Sequence, residues 1–301
     1  MPGQPLHIAL TFDDNFGAPA YATARGICLA TRRRADLVFH LCHPALSSET
    51  IELLDTITTE FGATLIHHDI DRDADYLHFS QSLPHTRFIS AVMYARLLLD
   101  RIVDPSIARI AYIDCDILVR APIEGLLDED LAGRPLGAVR DPHAMVSSNR
   151  RDVRQDRDLF DPADPYFNSG VLVIDLAAWR QMNIVGALLS LEQQGILARL
   201  PNDQQILNYL FKHNWTEINP SWNTFAAGTA IEIFNPSAVH YTGLAKPWNF
   251  INLLPFRRIY RHVMTNEVFY RYMRQRWARE WKARLGLGRQ KAPKPARPVA
   301  P

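Results

Sequence analysis

Asp114 and Asp116 stand two residues apart in the stretch RIAYIDCDILV over positions 109–119, which is otherwise strongly apolar. In an extended strand, residues two apart share one face. Burying carboxylates is expensive unless each is paired or holds a metal. No Lys or Arg adjoins the two acids, and side by side they repel. A divalent cation removes that conflict. Oxygen ligands favour Mg²⁺ or Mn²⁺, and an added imidazole moves the preference toward Mn²⁺. The competing reading is two exposed acids at a strand end, because an Asp-x-Asp triplet is common.

A second stretch, VHYTGLAKPW over 239–248, places His240, Gly243 and Lys246 at regular intervals. Together they offer what a diphosphate on a metal requires. His240 would complete the metal shell, Gly243 would let backbone N–H groups approach, and Lys246 would neutralise phosphate charge. The plainer alternative is a core histidine followed by a turn. Tyr166–Gly170 (YFNSG) and Pro201–Asn208 (PNDQQILN) carry Asn168, Asp203 and Gln204, whose side chains could bond sugar hydroxyls. A turn before a strand and a helix N-cap explain the same residues without function.

The elements that must position these groups alternate. Leu6–Phe12 reads as a buried strand running into Asp13, Asp14 and Asn15 at its carboxyl end. Pro19–Thr31 is helical, Leu37–Leu41 a second strand, and Ser47 or Ser48 caps a helix through Phe61 that Gly62 ends. Thr64–His67 is a third strand. Ile89–Ile102 has helical periodicity, and Ala108–Val119 contains the strand interrupted by the two acids. Gly170–Leu176 is a strand, Trp179–Gln194 a helix, and Asp203–Phe211 another helix. Such alternation predicts an α/β fold with a mostly parallel, Rossmann-like central sheet flanked by helices, binding ligand beyond the carboxyl ends of its strands. Arg140–Asp164 reads as a long polar insertion of functional or disordered character.

With 301 residues and 47% hydrophobic content, the chain suits one large domain, or at most two. Its net charge of +1 hides an asymmetry. Residues 256–301 carry thirteen Lys or Arg against two acids, leaving twenty basic and thirty acidic residues before them. Cys28, Cys42 and Cys115 give no disulfide framework and no zinc spacing, which fits a reducing, cytoplasmic setting. The start MPGQPLHIAL lacks the pattern of a signal peptide, and no apolar run approaches the roughly 20 residues that span a bilayer.

The order of these pieces resembles the family 8 retaining glycosyltransferases, among them bacterial lipopolysaccharide galactosyl- and glucosyltransferases and, more distantly, glycogenin. YIDCDILV, FNSGVLVIDL, NDQQILN and HYTGLAKPW carry the resemblance, which covers about residues 6–255. It implies a single GT-A type nucleotide-sugar-binding domain over 1–255. It implies Asp114, Asp116 and His240 as metal ligands, and Asp13 and Asn15 as the uridine-binding pair. Arg96 would contact the donor sugar, with Asn168, Asp203 and Gln204 forming its pocket. Gly243 and Lys246 would clamp the diphosphate. The chain departs from the family with Gln205 where an Asp is frequent, with Asp100-Arg101 after the helix arginine in place of Pro-Glu, and with the 140–164 insertion.

The reaction so implied moves galactose or glucose from a UDP-sugar to a hydroxyl of a lipopolysaccharide or other glycan acceptor, with retention. Gln204 falls under the anomeric carbon by analogy, but an amide is a poor nucleophile. Asp203 is chemically better yet is assigned to a sugar hydroxyl. A front-face route is therefore expected, in which the departing phosphate oxygen takes the acceptor proton. A nucleotidyltransferase would need an early Gly-rich phosphate loop, and Leu10–Gly17 is acidic instead. A catalytically inactive UDP-sugar-binding protein would not need an intact Asp114, Asp116 and His240 set.

Residues 256–285 mix arginines (Arg271, Arg274, Arg276, Arg279) with Tyr260, Phe269, Tyr270, Tyr272, Trp277 and Trp281. Arg and Trp together predict peripheral attachment to an anionic membrane, on its inner face; a nucleic-acid-binding tail and a merely solvated helix are the competing readings. Residues 286–301, rich in Pro and poor in apolar groups, are expected to be disordered.

Overall fold

The computed structural model describes residues 3–83, 90–143, 158–226, 228–249 and 253–285. The elements follow in the order β1 (Leu6–Thr11), α1 (Gly17–Ala30), β2 (Leu37–His43), α2 (Ser48–Phe61), β3 (Thr64–Asp69) and α3 (Ala74–Ser82). A 3₁₀ segment, Ala91–Leu98, and one turn of α4 (Leu99–Ile102) precede β4 (Arg109–Ile113), β5 (Ile117–Val119), α5 (Glu124–Leu127) and β6 (Leu136–Arg140). Then come β7 (Phe167–Asp175), α6 (Leu176–Gln181), α7 (Ile184–Gln193), α8 (Asp203–Leu210), β8 (Thr216–Glu217), β9 (Thr224–Phe225), β10 (Ala238–His240), α9 (Arg257–Met264) and α10 (Asn266–Arg284).

The main sheet has the order β3-β2-β1-β4-β7-β6-β8. Its first four strands are parallel, and β7 runs antiparallel between β4 and β6. The expected α/β fold with a mostly parallel sheet between helices is what the chain adopts. Period-two alternation sends side chains to two cores. Ala111 and Ile113 of β4 and Val171 and Val173 of β7 join the core beneath α1, α2, α9 and α10. Ile110, Tyr112, Leu172 and Ile174 join the opposite core, under α3, α4, α6, α7 and α8. Both faces of the central strands β1, β4 and β7 are covered, so these read as largely apolar runs, whereas the edge strand β3 is mostly exposed.

Local signals hold where caps mark them. Ser47 accepts from Thr50 N at the start of α2, and Gly62 ends it in the left-handed region at φ 71°. Three readings are corrected. The helix expected over 89–102 is a 3₁₀ segment and a short α-turn over the described residues, with Ile89 outside them. Val92, Tyr94, Ala95, Arg96, Leu97 and Leu98 are all buried there, so tertiary packing overrides helix propensity. The helix expected over 179–194 is two helices, broken at Asn183, which takes φ 45° and caps α7 through Gly186 N. Asp114 and Asp116 do not lie within one strand. The chain leaves the main sheet after Ile113 and re-enters extended structure at Ile117 in a second sheet, of order β5-β10-β9.

The core continues past residue 255. Phe256, Tyr260, Val263 and Met264, then Val268, Phe269, Tyr272 and Met273, join the same core as α1. Arg25 Nη1 donates to Val263 O at 3.0 Å. Most of the 140–164 insertion (144–157) and all of 286–301 lie outside the described residues.

Candidate active site

The turn between β4 and β5 is held at both ends. Asp114 N donates to Gly170 O at 2.8 Å, and Tyr241 N donates to Asp116 O at 3.1 Å. Antiparallel pairing sets His240 of β10 opposite Ile117. That register carries the imidazole to the two acids across more than 120 residues of sequence. His240 Nε2 lies 3.3 Å from Asp116 Oδ1 and 3.9 Å from Asp114 Oδ2. One ligand atom from each of the three residues falls within 4.8 Å of the others. Two carboxylates and one imidazole suit Mn²⁺ or Mg²⁺, so the donor set fits the expected cation.

The acids are not without counter-charges, as their sequence neighbours implied. The fold imports two. Arg96, 5% exposed, bonds Asp114 Oδ1 through Nη2 at 2.8 Å and Asp203 Oδ2 through Nε at 2.8 Å. Its guanidinium also donates to Ser169 O and stacks over Tyr112 at 4.3 Å. Lys246 Nζ bonds Asp116 Oδ2 and Tyr241 O. Burial works against these charges, and its balance with the neighbours decides the outcome. For Asp116, His240 and Lys246 win, and its carboxyl is held well below the usual range. For Asp203, burial wins over Arg96, and the carboxyl is pushed up. Arg96 stays above its ordinary value despite burial, because Asp114 and Asp203 flank it.

A row of amides continues from the imidazole. His240 Nδ1 meets Asn223 Oδ1 at 2.9 Å, and Asn223 Nδ2 donates to Asn168 Oδ1 at 2.8 Å. Asn168 Nδ2 donates to Gln204 Oε1 at 2.9 Å, and Gln204 Nε2 to Asp141 Oδ2 at 3.0 Å. Gly170 must be glycine here. A Cβ on it would stand 2.4 Å from His240 Cε1.

Eight of the residues read from sequence thus form one bonded set: Arg96, Asp114, Asp116, Asn168, Asp203, Gln204, His240 and Lys246. Asp13 and Asn15 sit one strand over, after β1. Asp13 accepts from Asn15 N and from Ser90 Oγ, each at 3.0 Å, and Asn15 is exposed. Gly243 takes φ 70° with open space where a Cβ would project. The residues that sequence reasoning missed are Tyr112, Asp141 and Asn223. Tyr112 bridges Thr11 and Asp114. Asp141 follows the last residue of β6, and that strand-end position was its only available signal. Asn223 follows a buried Trp222 and carries no local pattern at all.

Residues 7–252 match glycosyl transferase family 8. The chain belongs to this family. It is a glycosyltransferase whose curated relatives include General stress protein A of Bacillus subtilis, 27% identical over 86% of this chain and 93% of that protein. Another is the lipopolysaccharide 1,3-galactosyltransferase of Salmonella typhimurium, 24% identical over 87% of this chain and 78% of that one. Among solved structures, the galactosyltransferase LgtC in complex with donor and acceptor sugar analogs superposes with a TM-score of 0.70 at 25% identity. That match covers 86% of this chain and 95% of LgtC.

In this family 8 chain the basic C-terminal segment divides in two. Its first half docks: Gln275 Nε2 donates to Glu49 at 2.8 Å, and Arg276 Nη1 to Asn249 at 2.8 Å. Its second half exposes Trp277 and Trp281 beside Lys282 and Arg284. Among the described residues no helix is long and apolar enough to cross a membrane.

Proposed function

We propose that this glycosyltransferase moves galactose or glucose from a UDP-sugar to a hydroxyl of a glycan or lipid-linked saccharide, with retention of configuration. The observation that carries the reading is the convergence of Asp114, Asp116 and His240 beside Lys246. Those three residues hold the divalent cation, Mn²⁺ or Mg²⁺. When bound, the cation supplies Lewis-acid stabilisation of the diphosphate leaving group. Lys246 and the open backbone at Gly243 add fixed positive potential where leaving-group charge develops. Asp13 and Asn15 hold the uridine, and Arg96, Asn168 and Asp203 orient the donor sugar.

Neither candidate nucleophile is free. Gln204 Oε1 already accepts from Asn168 Nδ2 and from Ser169 N at 3.2 Å. Asp203 is 2% exposed and bound to Arg96. The front-face route needs neither. The bond from the anomeric carbon to the phosphate oxygen breaks, and the acceptor oxygen bonds the same face of that carbon. The acceptor proton passes to the departing phosphate oxygen.

The exposed Trp277, Trp281, Lys282 and Arg284 attach the enzyme peripherally to the inner face of an anionic membrane, where a lipid-linked acceptor would lie. The first experiment is UDP release from a panel of UDP-sugars, with and without Mn²⁺, for wild type and Asp116→Asn. One donor is expected to turn over, only with metal and intact Asp116. A covalent sugar trapped on Asp203 would refute the front-face step. Failure of UDP to bind with metal present would refute the whole assignment.

A further inference from the structure

The amide row beside the metal cluster has a direction that the protein itself dictates. Ser169 N and Gly170 N are backbone donors and can only donate. Ser169 N points at Gln204 at 3.2 Å, so the Gln204 atom there is Oε1, and its NH₂ faces Asp141. Gly170 N points at Asn168 at 3.0 Å, so that atom is Oδ1, and the Asn168 NH₂ faces Gln204 Oε1. Asn223 therefore meets Asn168 Oδ1 with its NH₂ and turns its own oxygen to the imidazole. An oxygen opposite Nδ1 at 2.9 Å requires the proton on Nδ1. In the neutral imidazole, the form that can ligate a metal, the lone pair of His240 is then on Nε2, the atom that faces Asp114 and Asp116.

We propose that Asn223 is a positioning residue for His240. The row Asn223–Asn168–Gln204, closed by the Asp141 carboxylate, fixes the tautomer and aim of the imidazole. The metal-affinity part of this proposal rests on the reading that Asp114, Asp116 and His240 hold a divalent cation. Burial gives the row its leverage. Asn223 is 2% exposed, Asp141 4%, His240 4% and Asn168 7%, so water does not substitute for a lost partner cheaply. The far end is anchored as firmly as the near end: Asp141 Oδ1 accepts from His143 N at 2.7 Å, which leaves Oδ2 for Gln204. An amide at position 141 would have to offer NH₂ either to His143 N–H or to the Gln204 NH₂, and both are donors. The donor-sugar pocket and the metal shell are thus one hydrogen-bonded object, and Asp141 acts on His240 without touching it.

The test compares wild type, Asn223→Ala and Asp141→Asn by two measurements that need no turnover. Free Mn²⁺ is titrated by electron paramagnetic resonance, and the His240 ring nitrogens are read by long-range ¹H–¹⁵N correlation. Wild type is expected to show an Nδ1-protonated ring. Asn223→Ala is expected to lose that signature and weaken Mn²⁺ binding about 10- to 100-fold. Asp141→Asn is expected to move both readouts in the same direction by a smaller factor, and it decides the matter should Asn223→Ala not fold. Folded variants that keep the wild-type tautomer and bind Mn²⁺ within about twofold of wild type would overturn the proposal. If wild type itself binds no Mn²⁺, the metal reading falls instead, and the metal-free ring spectra still judge the positioning role.

Discussion

Replacing Arg96 by Met should turn a paired site into two stranded carboxylates, and the cost should depend on pH. Arg96 touches Asp114 and Asp203 at 2.8 Å each and is 5% exposed. Each contact is worth about 6 kcal/mol of gross Coulomb attraction at an effective dielectric near 20. Most of that attraction offsets desolvation of the three groups. What remains when one partner of a buried pair is removed is about 3–5 kcal/mol of lost stability. The larger part falls on Asp203, whose side chain is 4% exposed against 24% for Asp114. In the intact protein the Asp203 pKa already lies above its ordinary value, because burial outweighs Arg96. Without Arg96 the rise must grow. An acid whose folded pKa is raised gives its stability at low pH, below the unfolded value near 4. It loses that stability as pH rises through the folded value. The deficit of Arg96→Met relative to wild type should therefore be smallest near pH 4 and largest at neutral pH. Urea unfolding of both proteins across that range, without metal, measures it. A deficit under about 1 kcal/mol at pH 7, or one independent of pH, would show that the carboxylates are adequately solvated without their guanidinium.

Lys246 stands beside Asp116, so Lys246→Met should bind Mn²⁺ more tightly in the absence of nucleotide and bind UDP more weakly in its presence. Calorimetric titrations of metal and of UDP separate the two effects, and a parallel loss in both would contradict the assignment. Gly170→Ala drives a Cβ to 2.4 Å from His240 Cε1, which should cost about 1–3 kcal/mol in overpacking and lower Mn²⁺ affinity by displacing the ring. Unchanged metal binding in that variant would mean the imidazole is not held where its neighbours place it. Trp277→Ser with Trp281→Ser should reduce co-sedimentation with vesicles containing anionic lipid and leave UDP binding unchanged. Equal sedimentation of variant and wild type would remove the membrane role of α10.

The parallel half of the sheet was legible because β1, β2 and β4 are largely apolar and because α2 is capped by Ser47 and ended by Gly62. The residues proposed to hold the metal were legible as residue types but not as geometry. Strand periodicity put Asp114 and Asp116 on one strand face, whereas they occupy a turn between two sheets. Convergence on His240 comes from the pairing of β5 with β10, a contact that no local pattern encodes. Arg96 was visible, but its buried 3₁₀ setting was not, since packing on every side rather than propensity decides it. Asp141 and Asn223 illustrate a harder limit. Each matters only through what it bonds, and those bonds join the residue after β6, α8, β7, the segment before β9 and β10. The basic C-terminal segment misleads in the opposite sense. Its charge reads as a tail, yet Phe269, Tyr272 and Met273 complete the core.

The placement of charge follows from the turn at Asp114–Asp116. Under the proposed function, a site that takes a dication and a diphosphate has to keep carboxylates and cations close while neither ligand is present. Left alone, the acids would repel and Arg96 would be a buried charge without a partner. The fold avoids both costs by pairing Arg96 with Asp114 and Asp203, and Lys246 with Asp116. These pairs are not equivalent. Arg96 makes its contacts from a packed 3₁₀ segment and is also held by Ser169, so it stays when ligands arrive. Lys246 reaches in from a loop beyond Gly243, and its side chain is 19% exposed. Under the proposed function it is the cation that would turn outward to an arriving diphosphate while Asp116 keeps its place. On this view Asp114 is held for catalysis by a fixed partner and Asp116 by an exchangeable one. Metal affinity should therefore respond to substitution of Lys246 without loss of fold, and to substitution of Arg96 only together with it.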